Sequence, residues 1–364
     1  MLAWERKVID DRVAPATEAA GNVVSWYLEF IDNRDLTKGI RDFNGSPRFS
    51  TGYTPLRNRP GILIETHMLK PYRLRVIGTY DFLRFTLEEV NRDPESLLAA
   101  GRQAEEKTLA DGPTYDPARR FPLDYELTEK VRPYQLKAVE YHTEASDVSG
   151  APRVIFGTRA LDLTVPMYDD FRVKTAVAPP LFYIVPPQWK DVIGVLQAHG
   201  LTLQTTKEQA TIDVESYRFL NVKWAPGPFE GRFMPSFKIE TVRERRSFPA
   251  GSVIVPLAQE WAKVAINLLE PEAPDSLVRW GFFNATFEQK EYGEDYVAEK
   301  LAREMLTSNP QLRVEFEKKL ASDPSFAANP RARLQFFYQR SPYWDKQMNL
   351  YQVGRIVSTV RLPL

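Results

Sequence analysis

A short apolar run that ends in a single carboxylate constrains the fold of this chain most strongly. Residues 59–67 read Arg-Pro-Gly-Ile-Leu-Ile-Glu-Thr-His, so three large apolar side chains follow Pro60 and Gly61 and precede Glu65. An uninterrupted run of leucine and β-branched residues after a turn signal predicts a buried strand. An ionised glutamate at the end of such a strand needs either a nearby cation or a site that opens at that end.

The residue types leave two interpretations of Glu65 open. The carboxylate could form an ion pair with Lys70 or Arg73, which follow the run closely. It could instead belong to a functional site, where carboxylates with shifted proton affinity are concentrated. Side chains alternate between the two faces of a strand, so His67 would share a face with Glu65 and could orient it.

Residues 37–92 carry motifs that resemble those of a known family. The matching text is Thr-Lys-Gly-Ile-Arg-Asp-Phe at 37–43, Ser-Pro-Arg-Phe-Ser-Thr-Gly-Tyr at 46–53, Asn-Arg-Pro-Gly-Ile-Leu-Ile-Glu-Thr-His at 58–67 and Leu-Lys-Pro-Tyr-Arg-Leu-Arg-Val at 69–76. It resembles the last part of the catalytic domain of zinc metallocarboxypeptidases of the carboxypeptidase A type, in a bacterial branch. Residues 181–364 resemble the carboxyl-terminal extension of that branch.

The resemblance implies a reaction and roles for four side chains. In that family a zinc-held water attacks the last peptide bond of a peptide, and a glutamate passes the proton of the water to the leaving amine. Glu65 matches that general base. Tyr53 and Arg59 are candidate substrate contacts, as a phenolic donor and a carboxylate clamp, and His67 could orient the base. The residue types equally allow Tyr53 to cover the strand and Arg59 to pair with Glu65 or Asp42.

The chain lacks the metal-binding motif of that family. The family's site resembles a His-x-x-Glu pair followed much later by a third histidine, but none of His67, His142 and His199 has a glutamate three residues on. A catalytic zinc needs three protein ligands and a water. We therefore predict zinc in an intact family member, and no metal site or cofactor for this chain alone. The chain would be the carboxyl-terminal portion of a longer peptidase, or a derivative that lost its metal-binding half.

The hydrophobic pattern and the resemblance together divide the chain into three predicted domains. Residues 1–110 are expected to form an α/β partial catalytic domain, the end of a mixed-sheet zinc carboxypeptidase fold. Residues 111–256 contain several short strand-like stretches separated by turn residues, typical of a β-rich, sandwich-like domain. Residues 257–364 are predicted to form a mainly helical tail packed on that domain, because apolar residues recur at spacings of three and four.

Four elements are predicted within the first domain besides the strand that ends at Glu65. Residues 4–20 predict a helix that bends or splits near Pro15, and residues 22–30 predict a strand rich in β-branched and aromatic side chains. Residues 72–91 predict a helix that packs by its apolar side. A second, more polar helix is predicted from 94 to 110.

Composition disfavours several classes of partner. The 48 basic and 48 acidic residues give zero formal charge, which does not favour a nucleic-acid partner. No run approaches the ~20 apolar residues of a membrane span. The start contains no recognisable signal segment, so the chain as written is expected to be cytoplasmic; a longer parent with a signal peptide would be secreted or periplasmic. The expected partner is a peptide substrate, and the alternative is a non-catalytic binding or interaction protein derived from such a peptidase.

Overall fold

The computed structural model describes residues 2–27, 29–289 and 292–364. Its helices are α1 Leu2–Val8, α2 Ala14–Ala19, α3 Ser50–Leu56, α4 Tyr72–Arg92, α5 Pro94–Asp111, α6 Lys190–Ala198, α7 Ala262–Leu269, α8 Asp295–Ser308, α9 Pro310–Ser322, α10 Pro324–Ala327 and α11 Pro330–Tyr338. Its strands are β1 Glu29–Phe30, β2 Ile40–Arg41, β3 Phe121–Leu127, β4 Arg132–Ala145, β5 Pro152–Tyr168, β6 Phe171–Val177, β7 Phe182–Val185, β8 Gln204–Thr205, β9 Ala210–Trp224, β10 Pro235–Phe248, β11 Val253–Pro256 and β12 Gly354–Ile356.

Most of the elements predicted from periodicity form. The helix predicted over 4–20 is confirmed as a split helix, in which a π-helical turn at Ile9–Val13 separates α1 from α2. The helices predicted over 72–91 and 94–110 are confirmed as α4 and α5. Asp93 begins α5 by accepting a hydrogen bond from the amide of Ser96, which satisfies one of the free donors at the helix start.

A four-stranded sheet joins the first predicted domain to the second. Its strand order is β1-β2-β5-β4, in which β2 and β5 are parallel and the other pairs are antiparallel. Ile40 lies opposite Met167, and both side chains are buried in a small core with Leu36, Leu136 and Val165. This apolar contact crosses the predicted boundary near residue 110, so the two regions share a sheet.

A six-stranded antiparallel sheet dominates the second half of the chain, in the order β10-β9-β12-β7-β11-β8. Strand β12 comes from the predicted helical tail and lies between β9 and β7. The packing at Gly354 is tight, since a Cβ atom there would lie only 2.9 Å from side-chain atoms of Ile184 and Phe248. The tail therefore supplies a central strand of this sheet as well as helices.

One face of the six-stranded sheet packs against helices, and Leu123 of the two-stranded β3-β6 sheet joins the same core. The side chains of this face form the largest core with α6 and α7, and the buried members include Tyr183, Val185, Val192, Leu196, Tyr217, Phe219, Val255, Ile266, Leu269 and Tyr351. The other face buries Ile184, Ile212, Val214 and Ile254 under the last residues of the chain, Val360 and Leu362. Helices α8 to α11 have a separate aromatic core around Phe316, Phe326, Phe336 and Phe337.

Two predicted strands of the first domain are wrong. Residues 61–67 have no regular secondary structure, and Glu65 is exposed rather than placed at the end of a buried strand. Of the strand predicted over 22–30, only Glu29 and Phe30 pair, with Arg41 and Ile40. Residues 22–27 are irregular, and Leu28 lies outside the described residues. A strand needs a neighbour to satisfy its backbone, and within the described ranges neither segment has one along most of its length.

Candidate functional site

The segment that leads to Glu65 is anchored to the second half of the chain at Asn58. The Asn58 side chain is buried, and its Oδ1 accepts hydrogen bonds from Lys263 Nζ at 2.6 Å and Thr108 Oγ1 at 3.2 Å. Its Nδ2 donates to the carbonyl of Glu260. The backbone of Asn58 has φ +57°, in the left-handed region that asparagine tolerates better than most residues. One side chain thus ties the chain after α3 to α5 and to α7.

Gly61 starts the segment that carries Glu65, and its position requires the absence of a side chain. A Cβ atom there would lie 1.9 Å from Thr54 Oγ1 in α3, much closer than two such atoms can approach. Gly61 therefore packs directly on α3. From this point residues 62–70 run without regular structure to the start of α4.

Tyr53 belongs to a polar and aromatic cluster between α3 and the end of α6. Its hydroxyl lies 2.7 Å from His199 Nδ1 and accepts a hydrogen bond from Arg57 Nη1 at 3.0 Å. The Arg57 guanidinium also donates to the His199 carbonyl and lies 3.6 Å from the ring centre of Trp261. Because Arg57 donates to the phenolic oxygen, the phenolic proton is free to be donated to a neutral imidazole. The Tyr53 hydroxyl thus serves an internal contact.

Burial and the neighbouring Arg57 guanidinium lower the pKa of His199 below its ordinary value of 6.5. We expect this to make the folded chain less stable in mild acid. Above pH 6.5 the imidazole is neutral in both states, whereas below it the unfolded chain takes up a proton first. The contribution of His199 is therefore complete above pH 6.5 and is lost as the pH falls through its lowered pKa.

Urea unfolding followed by tryptophan fluorescence between about pH 7.5 and pH 5 would measure this loss. The variant His199→Gln should show a smaller dependence of unfolding free energy on pH than the parent chain. His142→Gln, at an exposed position of β4, is the matched control. Equal pH dependence in the parent chain and in His199→Gln would contradict the expectation.

Arg59 contacts neither Glu65 nor Asp42, the two partners that its residue type allowed. Its Nη1 lies 2.5 Å from Glu105 Oε1 in α5, and it also donates to the carbonyl of Asn58. The guanidinium is half exposed, so this ion pair contributes little to stability. The role of Arg59 as a substrate clamp stays a prediction.

Glu65 has no ion pair or hydrogen bond with any residue that the structure describes. Pairing with Lys70 or Arg73, the first interpretation of this residue, is therefore absent in the described part of the chain. His67 Nδ1 accepts a hydrogen bond from the amide of Leu69 at 3.2 Å, which folds the imidazole back on its own turn. No hydrogen bond joins Tyr53, Arg59 or His67 to Glu65 among the described residues.

A large apolar surface adjoins Glu65 in the sequence. It consists of Ile62, Leu63, Met68, Leu69, Tyr72, Leu74, Val76, Ile77, Tyr80, Leu83 and Leu87, which are all exposed, and we call it the uncovered apolar surface. Leu69 is 83% exposed, Tyr72 74% and Leu87 67%. The expectation that α4 packs by this apolar side is wrong for the chain as described, because it buries Phe82 instead. Soluble monomers rarely expose so many large apolar side chains together, and such surfaces mark sites of interaction.

The described residues do not bring together the donors of a catalytic zinc site. Among the residues that the structure describes, no three His, Asp or Glu side chains are grouped closely enough to hold a metal ion. His67, His142 and His199 lie in an irregular turn, in β4 and after α6 respectively. No step of a reaction is therefore assigned to a metal held by this chain.

Sequence reasoning missed Asn58, Arg57 and Trp261 as the residues that organise this region. The spacing of Tyr53 and Arg57 by four residues was a usable signal, since residues i and i+4 of a helix are neighbours. Their partners lie more than 140 residues further along the chain. Such long-range pairs leave no local pattern in a sequence.

Part of the chain is similar to fungal carboxypeptidases. Carboxypeptidase 2 of Trichophyton tonsurans and Carboxypeptidase 2 of Trichophyton equinum are each 28% identical to it over 102 residues, 28% of this chain and 19% of the relative. Carboxypeptidase 2 of Trichophyton rubrum is 27% identical over 118 residues, 31% of this chain and 22% of the relative. The chain thus spans about a fifth of the length of these relatives. The similarity supports a carboxypeptidase-related sequence.

No family model matches the chain. No solved structure matches it either. In the described part of the chain no helix is both long enough and apolar enough to cross a membrane.

Proposed function

We propose that this chain is the carboxyl-terminal portion of a zinc-dependent carboxypeptidase-like peptidase, whose metal ligands are contributed by polypeptide outside the chain. The whole protein would remove carboxyl-terminal residues from peptides. Glu65 would act as the base that accepts the proton of the attacking water and returns it to the leaving amine. The similarity to Carboxypeptidase 2 over 102 to 118 residues supports the reaction class.

The uncovered apolar surface is the observation that carries this proposal. The segment 61–67 has the composition of a buried strand, yet the described residues include no strand that pairs with it. The next helix, α4, turns Tyr72, Tyr80 and Leu87 to the solvent. Burying a side chain of this size stabilises by about 1.5–3 kcal/mol, so covering the surface would provide a large driving force for association. Further polypeptide of the same catalytic domain would satisfy both the strand and the helix.

Glu65 would gain its role only when that polypeptide is present. In the described chain its carboxylate is exposed, and no described residue pairs with it. Covering the neighbouring apolar side chains would remove water around Glu65 and raise the free energy of its charged form. Such a change suits a general base that works near neutral pH.

The test is to express this chain together with the upstream coding region and compare it with the chain alone. We expect the longer protein to release phenylalanine from a blocked dipeptide that ends in phenylalanine, and the chain alone to release none. The longer protein should also bind less of a hydrophobic dye per chain, because the uncovered apolar surface would be buried. A folded longer protein that binds zinc but releases no amino acid would contradict the proposal.

The second candidate is a non-catalytic interaction protein derived from such a peptidase. The absence of a metal-binding group among the described residues favours it, together with an exposed apolar surface that can bind a partner. The two candidate functions predict different sequences in the upstream reading frame. A frame closed by a stop codon, without His-x-x-Glu and a later histidine, would favour the interaction protein.

A further inference from the structure

A cavity of about 300 Å³ lies between α5, the start of β3 and α7. Its apolar lining includes Phe121, Leu257 and Ile266, together with Pro179 and Pro180, which precede β7. The volume is at the lower end of the range for small-molecule sites, and apolar walls with a few polar groups are typical of such sites. None of the residues predicted for catalysis or substrate binding lines this cavity.

Positive charge dominates the polar lining of the cavity. Lys107, Arg119, Arg120 and Lys263 line it, against a single carboxylate from Asp111. Asp111 Oδ1 lies 3.5 Å from Arg119 Nη1, so this carboxylate already forms an ion pair with Arg119. Four cations gathered around an apolar space repel one another, and an anion in that space would relieve the repulsion.

Two of the cations, Arg119 and Lys263, have hydrogen-bond donors that their described contacts do not use. Arg119 donates through Nη2 to the carbonyl of Thr114, but its Nε is buried and has no hydrogen-bond partner in the part of the chain that the structure describes. Lys263 donates to the neutral Asn58 Oδ1, and its burial lowers its pKa despite the opposing effect of Asp111.

We infer that this cavity binds a small monoanion with an apolar group, such as an N-acylated hydrophobic amino acid. The carboxylate would pair with Arg119 and Lys263, where charge-assisted hydrogen bonds are strongest. The apolar group would contact Phe121, Leu257 and Ile266. The inference rests on the lining of the cavity and holds whether or not the chain is part of a peptidase.

Isothermal titration calorimetry on the 364-residue chain tests this with three probes: N-acetyl-phenylalanine, its carboxyl amide and inorganic phosphate. We expect the carboxylate to bind at least about tenfold more tightly than the amide, because the amide lacks the charge. We expect phosphate to bind more weakly than the carboxylate as well, because it leaves the apolar walls uncovered. Added salt should weaken binding of the carboxylate.

Variants locate the site. Lys263→Gln should weaken binding of the carboxylate about tenfold, and Lys107→Gln, at an exposed position of α5, should weaken it several-fold without affecting folding. Arg102→Gln removes one exposed cation from the same helix outside the cavity, and should leave affinity unchanged. No binding at about 10 mM carboxylate would overturn the inference. If phosphate bound as tightly as the carboxylate, the inferred contact of the ligand with the apolar walls would be wrong. If both lysine variants bound the carboxylate as tightly as the parent chain, the inferred location of the site would be wrong.

Discussion

Replacing Arg355 with methionine should lower the free energy of unfolding by about 3–5 kcal/mol. Arg355 lies in the central strand β12 and is only 4% exposed. Its Nε donates to Glu270 Oε1 at 3.0 Å and its Nη1 to Glu215 Oε2 at 2.8 Å. Glu270 is 1% exposed, so removing the guanidinium would leave a buried carboxylate whose remaining described side-chain partners, Tyr183 and Tyr217, are neutral.

Neighbouring side chains stabilise the positive charge of Arg355. Burial by itself would lower the pKa of Arg355, but Glu270, Tyr217, Tyr183 and Glu215 together hold it above the ordinary value. Burial and Glu270 raise the pKa of Tyr183 and of Tyr217, so both phenols stay protonated. Each donates to Glu270, at 2.6 Å from Tyr183 and 2.7 Å from Tyr217. The cluster therefore depends on a complete set of partners.

Equilibrium unfolding in urea would measure the loss. Arg41→Met is the control, because the Arg41 and Glu29 side chains are about half exposed and such surface pairs contribute about 0–1 kcal/mol. The double variant with Arg355→Met and Glu270→Gln should recover part of the lost stability, because it removes the unpaired charge together with its partner. A change below about 1 kcal/mol in Arg355→Met would contradict this account.

Replacing Glu65 with glutamine should reduce turnover of peptide substrates about 10²–10⁴-fold in the longer protein described above. Glutamine keeps the size of the side chain and removes its ability to accept a proton. Because Glu65 has no hydrogen bond or ion pair within the described residues, the variant should fold as stably as the parent chain. We also expect the variant to retain bound zinc, because Glu65 is assigned the base and not a ligand.

Steady-state kinetics with a blocked dipeptide substrate would measure this effect, and the loss should appear mainly in kcat. Glu106→Gln is the matched control, since Glu106 is an exposed carboxylate on α5 and no role is assigned to it. Its turnover should equal that of the parent protein. Unchanged turnover in Glu65→Gln would remove Glu65 from the mechanism and leave the similarity to carboxypeptidases without a catalytic residue in this chain.

The sequence predicted helices α4 and α5 because their signals are local. The helix α4 was expected over 72–91 and forms at Tyr72–Arg92, where apolar residues recur with helical spacing. Strand β9 lies in the region predicted to be β-rich, and helix α9 in the region predicted to be mainly helical. At the start of α9, the side chain of Asn309 accepts a hydrogen bond from the amide of Leu312. An asparagine followed by a proline is typical of a helix start.

The candidate site was predicted less well, because its residues depend on partners distant in the sequence. The pattern around Glu65 predicted a buried strand, which does not form, because the pattern could not show whether a neighbouring strand exists to pair with it. Tyr53 was selected as a substrate contact, and the structure engages its hydroxyl with His199 and Arg57. The domain boundaries stay predictions, although observed sheets cross two of them.

Residue types and short spacings were enough to predict α4 and α5, to show that no histidine has a glutamate three residues on, and to give zero formal charge. The folded chain, in contrast, was needed to show that β12 inserts between β9 and β7, that Arg355 pairs with Glu215 and Glu270, and that Asn58 joins α5 to α7. It also decided which apolar side chains stay exposed on α4. Burial and pairing are properties of residues far apart in the chain, and their free energies depend on which groups the fold brings within contact distance.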